Sequence, residues 1–404
     1  MTTFSPPWLH WPETRTLIAA FGDVPFRFVG GCVRDGILNR SVQDIDVATP
    51  MLPDAVMKLL GKTGIKVIPT GIDHGTVTAV VNKRHFEITT LRRDVSTDGR
   101  RATVAYTEDW KEDAARRDFT MNALYCSAGG EFFDYFGGAE DATAGRVRFI
   151  GDASQRIAED ALRILRFFRF FAHYGKGEMD REGLNACEKL AAKIDILSGE
   201  RIEQEMMKLL VADTAGEVVE CMQHHHIWPH VVAHTIKTDA LKKLPSVLKK
   251  VAQAPDAMLA LAALLRSIKG DKTAIIDAID ARWKLSGANY KKLQALCSKK
   301  WPVVSGQWSE KDLKKQIRAL GKELFIQHML LLMAEGAEET QGLAAITLAR
   351  TWEIPEFPVT GNDLIAHGIT PGKKLGEMLA MLEADWEESN YTADKKDLLS
   401  RIPK

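Results

Sequence analysis

The residues with most chemical promise are Gly30-Gly31-Cys32-Val33-Arg34-Asp35, followed at short range by Asp44-Ile45-Asp46. Phe26, Phe28 and Val29 lead into the two glycines as a strand leads into a tight turn. Cys32 to Leu38 then reads as a short helix, Asn39-Arg40-Ser41 as a turn, and Gln43 to Ala48 as a second strand. A strand has a period of two, so Asp44 and Asp46 share one face while Ile45 and Val47 point to the other. Two neighbouring carboxylates repel each other and are stable mainly around a divalent cation. The glycines let backbone N–H groups approach an anion, and the helix start that follows favours negative charge. A phosphate site beside a cation site implies phosphoryl or nucleotidyl transfer. Asp-x-Asp alone is common on exposed strands and turns, and Gly-Gly alone says less. The specific signal is the whole string in strand–turn–helix–turn–strand order.

Further candidates follow along the chain. Glu87 lies in the run Phe86–Leu91, with Phe86 and Ile88 toward the core and Glu87 opposite, where it is either a third acid of the site or a solvated side chain. The segment from Arg92 to Arg101 is charged, contains Gly99 and reads as a mobile loop. Then come Arg116-Arg117-Asp118-Phe119-Thr120-Met121-Asn122-Ala123-Leu124, Asp134-Tyr135-Phe136-Gly137-Gly138 with Asp141, Gly145 and Arg148, and a helix carrying Glu159-Asp160-Ala161-Leu162-Arg163-Ile164-Leu165-Arg166-Phe167-Phe168-Arg169-Phe170. On a continuous helix Asp160 and Arg163 are i,i+3 neighbours, and without further context they would be an intrahelical ion pair. Ser198-Gly199-Glu200-Arg201-Ile202-Glu203-Gln204-Glu205 reads as an N-capped buttressing helix. His224-His225-His226, with His230 and His234, has no Cys or acidic residue spaced for a closed metal site.

Taken together, these strings resemble the nucleotidyltransferases of the DNA polymerase β superfamily, and within them the bacterial class II tRNA nucleotidyltransferase and poly(A) polymerase family. The resemblance matches motif after motif over 26–210 and only in helical character over 211–345. It resumes near Pro358–Leu364 and Gly368–Gly376, which look like the tail of bacterial CCA-adding enzymes. It implies an α+β protein: a polymerase β-like head with a small sheet and helices, followed by an all-helical neck, body and tail. It makes Asp44, Asp46 and Glu87 catalytic, with Mg²⁺ on Asp44 and Asp46. Gly30, Gly31 and Arg34 would take the phosphates, and Arg117 and Asp118 the ribose side of the nucleotide. Asp160 and Arg163 would act as a protein template, with Arg166 and Arg169 as further nucleotide contacts. A carboxylate accepts from N4 of C or N6 of A, while a guanidinium donates to N3 of C or N1 of A. U and G present the opposite order there, so acceptor would meet acceptor and donor meet donor. The segment after Glu87 matches the family's flexible loop, which CC-adding relatives have shortened, and the 134–148 glycines match a hinge. Ala161 stands where the family usually has proline. The implied substrates are CTP, ATP and tRNA, held at acceptor stem and elbow. A poly(A) polymerase, a partial A-adding or CC-adding enzyme, and a non-catalytic RNA-binding scaffold are the alternatives. Gly71-Ile72-Asp73-His74-Gly75-Thr76-Val77 favours CCA addition over the polymerase relatives, and no His-Asp dipeptide marks a phosphohydrolase domain.

The elements that must position these residues fall into two textures. Over 1–150 short helices alternate with β-rich runs, notably Thr76–Val81 and a run through Phe86–Leu91 joined by Asn82-Lys83-Arg84. From Ala153 onward three- and four-residue apolar spacing predicts helices almost throughout, broken at Pro229, Pro245, Pro255, Pro302, Pro355 and Pro358. The expected division is a head at 1–150, a neck at 151–225, a basic body at 226–325 and a tail at 326–404.

A chain of 404 residues with 45% apolar and 27% charged residues can bury a sizeable core. The longest apolar run, Ala257 to Leu265, is too short for a bilayer, and MTTFSPPWLHWPETR has no secretory pattern. Five scattered cysteines point to a reducing cytoplasm without disulfides. Net charge is zero but uneven: residues 240–325 hold 18 Lys and Arg against 7 Asp and Glu, and residues 326–404 hold 7 against 13. The Lys-Lys pairs at 242–243, 249–250, 291–292, 299–300 and 314–315 are either a surface for RNA phosphates or solvated helix faces.

Overall fold

The computed structural model describes residues 4–98, 101–298 and 308–402, with side chains left out at 94–98 and 101–104. Nine strands lie in the first part of the chain: β1 (Arg27–Val29), β2 (Ile45–Thr49), β3 (Lys66–Gly71), β4 (Thr76–Val81), β5 (Arg84–Thr90), β6 (Arg92–Asp98), β7 (Arg101–Tyr106), β8 (Leu124–Cys126) and β9 (Phe132–Asp134). Seven form one sheet in the order β3-β4-β5-β2-β1-β8-β9, and β6 and β7 form a separate ribbon. The fold is α+β, as expected, and only β2 and β5 pair in parallel.

Strand periodicity decides which residues reach the site. Ile45, Val47, Phe86 and Ile88 are buried on one face, against Leu17 and Phe21 of the Pro12–Phe21 helix and Val56 and Leu60 of the Pro53–Lys62 helix. Asp46 and Glu87 therefore emerge on the opposite face, and the register sets them directly across from each other. The β4–β5 turn is tight, with Asn82 and Lys83 at φ 47° and 69°, the left-handed pair of a two-residue hairpin.

The segment expected as a mobile loop forms a two-stranded hairpin. β6 and β7 pair from Arg92↔Tyr106 to Asp98↔Arg101, with a register shift between Asp94 and Ser96. Its signal is Gly99 between stretches with β-branched Val95, Thr97, Thr103 and Val104. Residues 99 and 100 lie outside the described residues.

From Ala153 on, helices dominate as the apolar spacing predicts. Pro245 does not break the chain, contrary to expectation: it lies inside the Asp239–Lys250 helix. An interior proline costs about 3 kcal/mol. Leu241, Leu244, Val247 and Leu248 are all buried there, at about 1.5–3 kcal/mol each, which outweighs it. Pro302 lies outside the described residues. No helix among the described residues is long and apolar enough to cross a membrane.

The chain divides into two compact units, 1–235 with 279–285, and 236–278 with 286–404. The expected head and neck segments fall in the first, and most of the body and the tail in the second.

Candidate active site

A cleft of about 530 Å³ in the first unit gathers most of the residues singled out by sequence. Gly30, Gly31, Arg34, Asp46, Arg117, Asp118, Asp160, Arg163 and Arg166 line it. Gly30 has φ 74° and ends the turn from β1 into the Gly31–Ile37 helix. A Cβ there would meet Arg117 and the Asn122 carbonyl at an ordinary 3.5 Å, so it is the backbone conformation that calls for glycine. A larger cleft of about 630 Å³ in the second unit, between Arg266, Lys272 and Glu335, contains none of these residues.

The carboxylates do not all face the cleft. Asp46 lines it, Asp44 is exposed just before β2, and Glu87 is exposed on β5 beside Asp46. Burial pushes the Asp46 carboxyl up to about 6, Glu87 and Asp44 push the same way, and Arg117 opposes them. Uncompensated negative charge of this kind is what a cation relieves. No group of three or more His, Cys, Asp or Glu is placed to hold a metal ion among the described residues. That donor set still fits Mg²⁺, which is usually held by one or two carboxylates and completed by water and substrate phosphates.

The cleft's cations are held by acids, of which Asp113 and Asp118 are buried and Asp35, Glu159 and Asp160 half-buried. Arg34 donates from Nε and Nη2 to both oxygens of Asp35 at 3.0 Å, from Nη2 to the Tyr174 hydroxyl at 2.6 Å and from Nη1 to Asn122 Oδ1 at 2.5 Å. It therefore brings positive charge to the cleft with few donors to spare. Arg117 donates to the Tyr125 hydroxyl and to Asp113. Burial disfavours its charge, but Tyr125, Asp113 and Asp46 hold it above the ordinary arginine range. Asp118 accepts from Arg166 Nε and Nη2 at 2.8 and 2.5 Å, from Asn122 and from the Phe119 N–H. Despite burial, these partners, Arg166 first, bring it down to about 2. Arg169 does not line the cleft; its Nε lies 2.8 Å from Glu205 on the Gly199–Leu210 helix.

The expected continuous helix through Glu159–Phe170 is interrupted. One helix spans Ala153–Glu159 and the next Leu162–Tyr174, with Asp160 extended between them at φ −151° and ψ 107°. Asp160 breaks the helix because its Oδ1 takes the Leu162 N–H at 3.1 Å, a local bond that competes with helix hydrogen bonding. Ala161 has φ −60°, the value proline would impose, so its departure from the family pattern leaves the backbone unchanged. Asp160 and Arg163 are consequently not an ion pair. Arg163 donates from Nη1 to Glu159 at 2.5 Å and to the Arg156 carbonyl at 2.8 Å, and from Nη2 to the Arg116 carbonyl at 3.3 Å. Asp160 instead accepts from Arg201.

Three residues of this arrangement were not singled out by sequence. Asn122 ties Asp118 to Arg34; it lay within a quoted motif without a role. Asp113 accepts from Arg116, Arg117, Tyr125 and the Arg92 N–H, joining the base of β6 to the cleft. Its signal was the i,i+4 spacing to Arg117. Arg201 lines the cleft, although its motif reads as a buttress. Near the 134–148 glycines, a Cβ on Gly138 would lie 2.0 Å from the Thr120 carbonyl oxygen, so this glycine serves close packing behind Asn122. His225 pairs with Glu188 and His230 with Asp195.

A mixed sheet with a Gly-Gly turn, acids on two adjacent interior strands and an arginine-lined cleft is the arrangement expected of a nucleotidyltransferase with a polymerase β-like head. Comparison agrees: residues 26–148 match the family model described as the poly A polymerase head domain, and 178–235 the model described as a probable RNA and SrmB-binding site of polymerase A. CCA tRNA nucleotidyltransferase 1, mitochondrial, of Danio rerio is 35% identical over 383 residues, covering 93% of this chain and 86% of the relative. The CCA-adding enzyme of Streptococcus sanguinis is 32% identical over 375 residues, covering 88% and 87%. The Bacillus stearothermophilus CCA-adding enzyme in complex with CTP superposes with a TM-score of 0.71 at 25% identity, covering 94% of each chain. The chain belongs to the CCA-adding tRNA nucleotidyltransferase family.

Proposed function

We propose that this chain adds C, C and A to the 3′ end of tRNA without a nucleic acid template. The tRNA 3′-hydroxyl attacks the α-phosphate of CTP, then of a second CTP, then of ATP. Each attack forms a phosphodiester, breaks the α–β phosphoanhydride and releases pyrophosphate. Asp44 and Asp46 would hold Mg²⁺, which when bound activates the hydroxyl and neutralises the triphosphate. Glu87 adds negative charge beside them. Gly31 offers its backbone N–H to the phosphates, Gly30, whose own N–H is taken by the Leu124 carbonyl, turns the chain toward them, Arg34 and Arg117 supply positive charge, and Asp118 fixes Arg166. Asp160 and Arg163 select the base edge. The observation that carries this reading is the single cleft holding Asp46 and the Gly-Gly turn together with Asp160 and Arg163. Arg163 keeps Nε and one Nη2 hydrogen without a protein acceptor among the described residues, as a donor toward a base requires. The β6–β7 hairpin, at the place of the family's flexible loop, supports full CCA addition. The exposed lysines of the second unit would hold tRNA by backbone and shape. Five free thiols support a reducing compartment, and we place the enzyme in the cytoplasm.

The test is incubation of purified protein with tRNA lacking its 3′ end and with each NTP separately and together. C, C and a terminal A, then arrest, is the expected product. A continuing A tail would make it a poly(A) polymerase. Arrest after CC, or A addition only to tRNA ending in CC, would make it a partial enzyme. Binding without incorporation would make it a scaffold.

A further inference from the structure

Asp160 and Arg163 line the same cleft but are held in different ways. Arg163 is fixed by three acceptors from Arg116, Arg156 and Glu159. Asp160 is extended between two helices; its backbone is bonded to both, the N–H to the Arg156 carbonyl at 3.4 Å and the carbonyl to the Arg163 N–H at 3.0 Å, so what remains to be set is its side chain. Its Oδ1 is used locally by the Leu162 N–H. Its Oδ2 is held by one side chain from a distant part of the sequence, Arg201 Nη2 at 2.7 Å. Both side chains of that pair are about one-quarter exposed, at 26% each, and both line the cleft.

We infer that Arg201 is a specificity-determining positioning residue, which sets the plane of the Asp160 carboxylate so that its free lone pair meets the exocyclic amine of C or A. This rests on the proposed selecting role of Asp160. A carboxylate turns about its last bond over a broad range. Anchoring each oxygen on one side leaves the remaining lone pairs aimed in one direction. Without Arg201, Oδ2 is free to turn, and the acceptor that opposes U and G loses its fixed place. A residue acting in this way alters the choice between nucleotides. A residue that only braces the fold lowers incorporation of all of them alike.

The experiment is single-turnover incorporation of CTP and UTP on tRNA lacking its 3′ end, and of ATP and GTP on tRNA ending in CC. The proteins are wild type, Arg201→Ala, Arg201→Lys, Asp160→Ala and the Arg201→Ala/Asp160→Ala double variant. Loss of one charged hydrogen bond predicts a fall of roughly tenfold to a hundredfold in the C-over-U and A-over-G ratios for Arg201→Ala. Arg201→Lys should recover part of that loss. The double variant should discriminate no worse than Asp160→Ala alone, because Arg201 acts through Asp160. Ratios within twofold of wild type in Arg201→Ala, or additive losses in the double variant, would overturn the inference. Should Arg201→Ala fail to fold by circular dichroism, Arg201→Lys and Arg201→Gln carry the same comparison. Failure of the wild type to add C and A would defeat the proposed function instead, and is read in the same assay.

Discussion

The two units use the same residue types in opposite ways. In the first, Arg117, Arg169 and Arg166 are gripped by carboxylates that are themselves buried: Asp113 is 0% exposed, Glu205 5% and Asp118 8%. In the second, cations meet acids in water: Lys311 and Lys315 reach Glu388, Lys314 reaches Glu310, and Lys250 reaches Glu339, with Glu388 62% and Glu310 65% exposed. Breaking a buried pair costs about 3–5 kcal/mol because a charge is left uncompensated. An exposed pair contributes about 0–1 kcal/mol and is screened by salt. Buried pairs therefore fix geometry, which selection of a nucleotide needs. Exposed pairs leave lysines able to exchange partners, which suits a surface that meets RNA backbones of many sequences. The basic excess of the body is smaller in effect than its count: Lys292 is engaged by Asp256, and Arg318 by Glu383 and Glu387.

The sharpest break of this contrast is at Asp46. Asp46→Ala should cut incorporation of both CMP and AMP by about 10³-fold or more, since charge stabilisation at the reacting phosphate is worth several kcal/mol. tRNA affinity should survive. Single-turnover incorporation and a filter-binding isotherm measure the two. Near-normal incorporation in Mg²⁺ would remove Asp46 from the reaction.

Proton competition should have a smaller effect. With its carboxyl pushed up to about 6, Asp46 is protonated below that pH and cannot take a cation. Mg²⁺-dependent incorporation should fall roughly tenfold per pH unit below about 6, and raised Mg²⁺ should move the midpoint downward. Stability runs the other way for this group. A raised carboxyl favours the protonated fold, so Asp46 costs stability as pH rises through about 6. Asp118, held near 2, contributes stability that is present above the ordinary carboxylate range and lost as pH falls toward 2. A thermal melt across pH, for wild type and Asp46→Asn, separates the two. A pH-independent difference between the proteins would refute the assignment.

The contrast between units also accounts for what was legible in the sequence. β4 and the inward and outward faces of β2 and β5 follow from local periodicity, and the cleft's residue types from motif strings. What was not legible depends on partners far along the chain. No local pattern pairs Asp160 with Arg201 or Arg169 with Glu205. Proline rules predicted a break at Pro245 because they do not weigh four buried apolar neighbours. The β6–β7 hairpin was hidden by charge, although Gly99 between two stretches with β-branched residues carried its signal.

The smallest predicted effect separates lysines that look alike in sequence. Lys291 is exposed, with no carboxylate partner among the described residues, whereas Lys292 is held by Asp256 at 2.5 Å. Lys291→Glu should weaken tRNA binding and lower the slope of log affinity against log salt by about one, because one fewer counterion is released. Lys292→Glu sets two acids against each other and should cost up to about 1 kcal/mol of stability in denaturant unfolding, with a smaller change in salt slope. Lys299 and Lys300 lie outside the described residues, and the same substitution at each gives two further points on the scale. If Lys291→Glu and Lys292→Glu change the salt slope equally, pairing with Asp256 does not withhold Lys292 from RNA. If neither changes it, these lysines only solvate a helix surface and the tRNA backbone is held elsewhere.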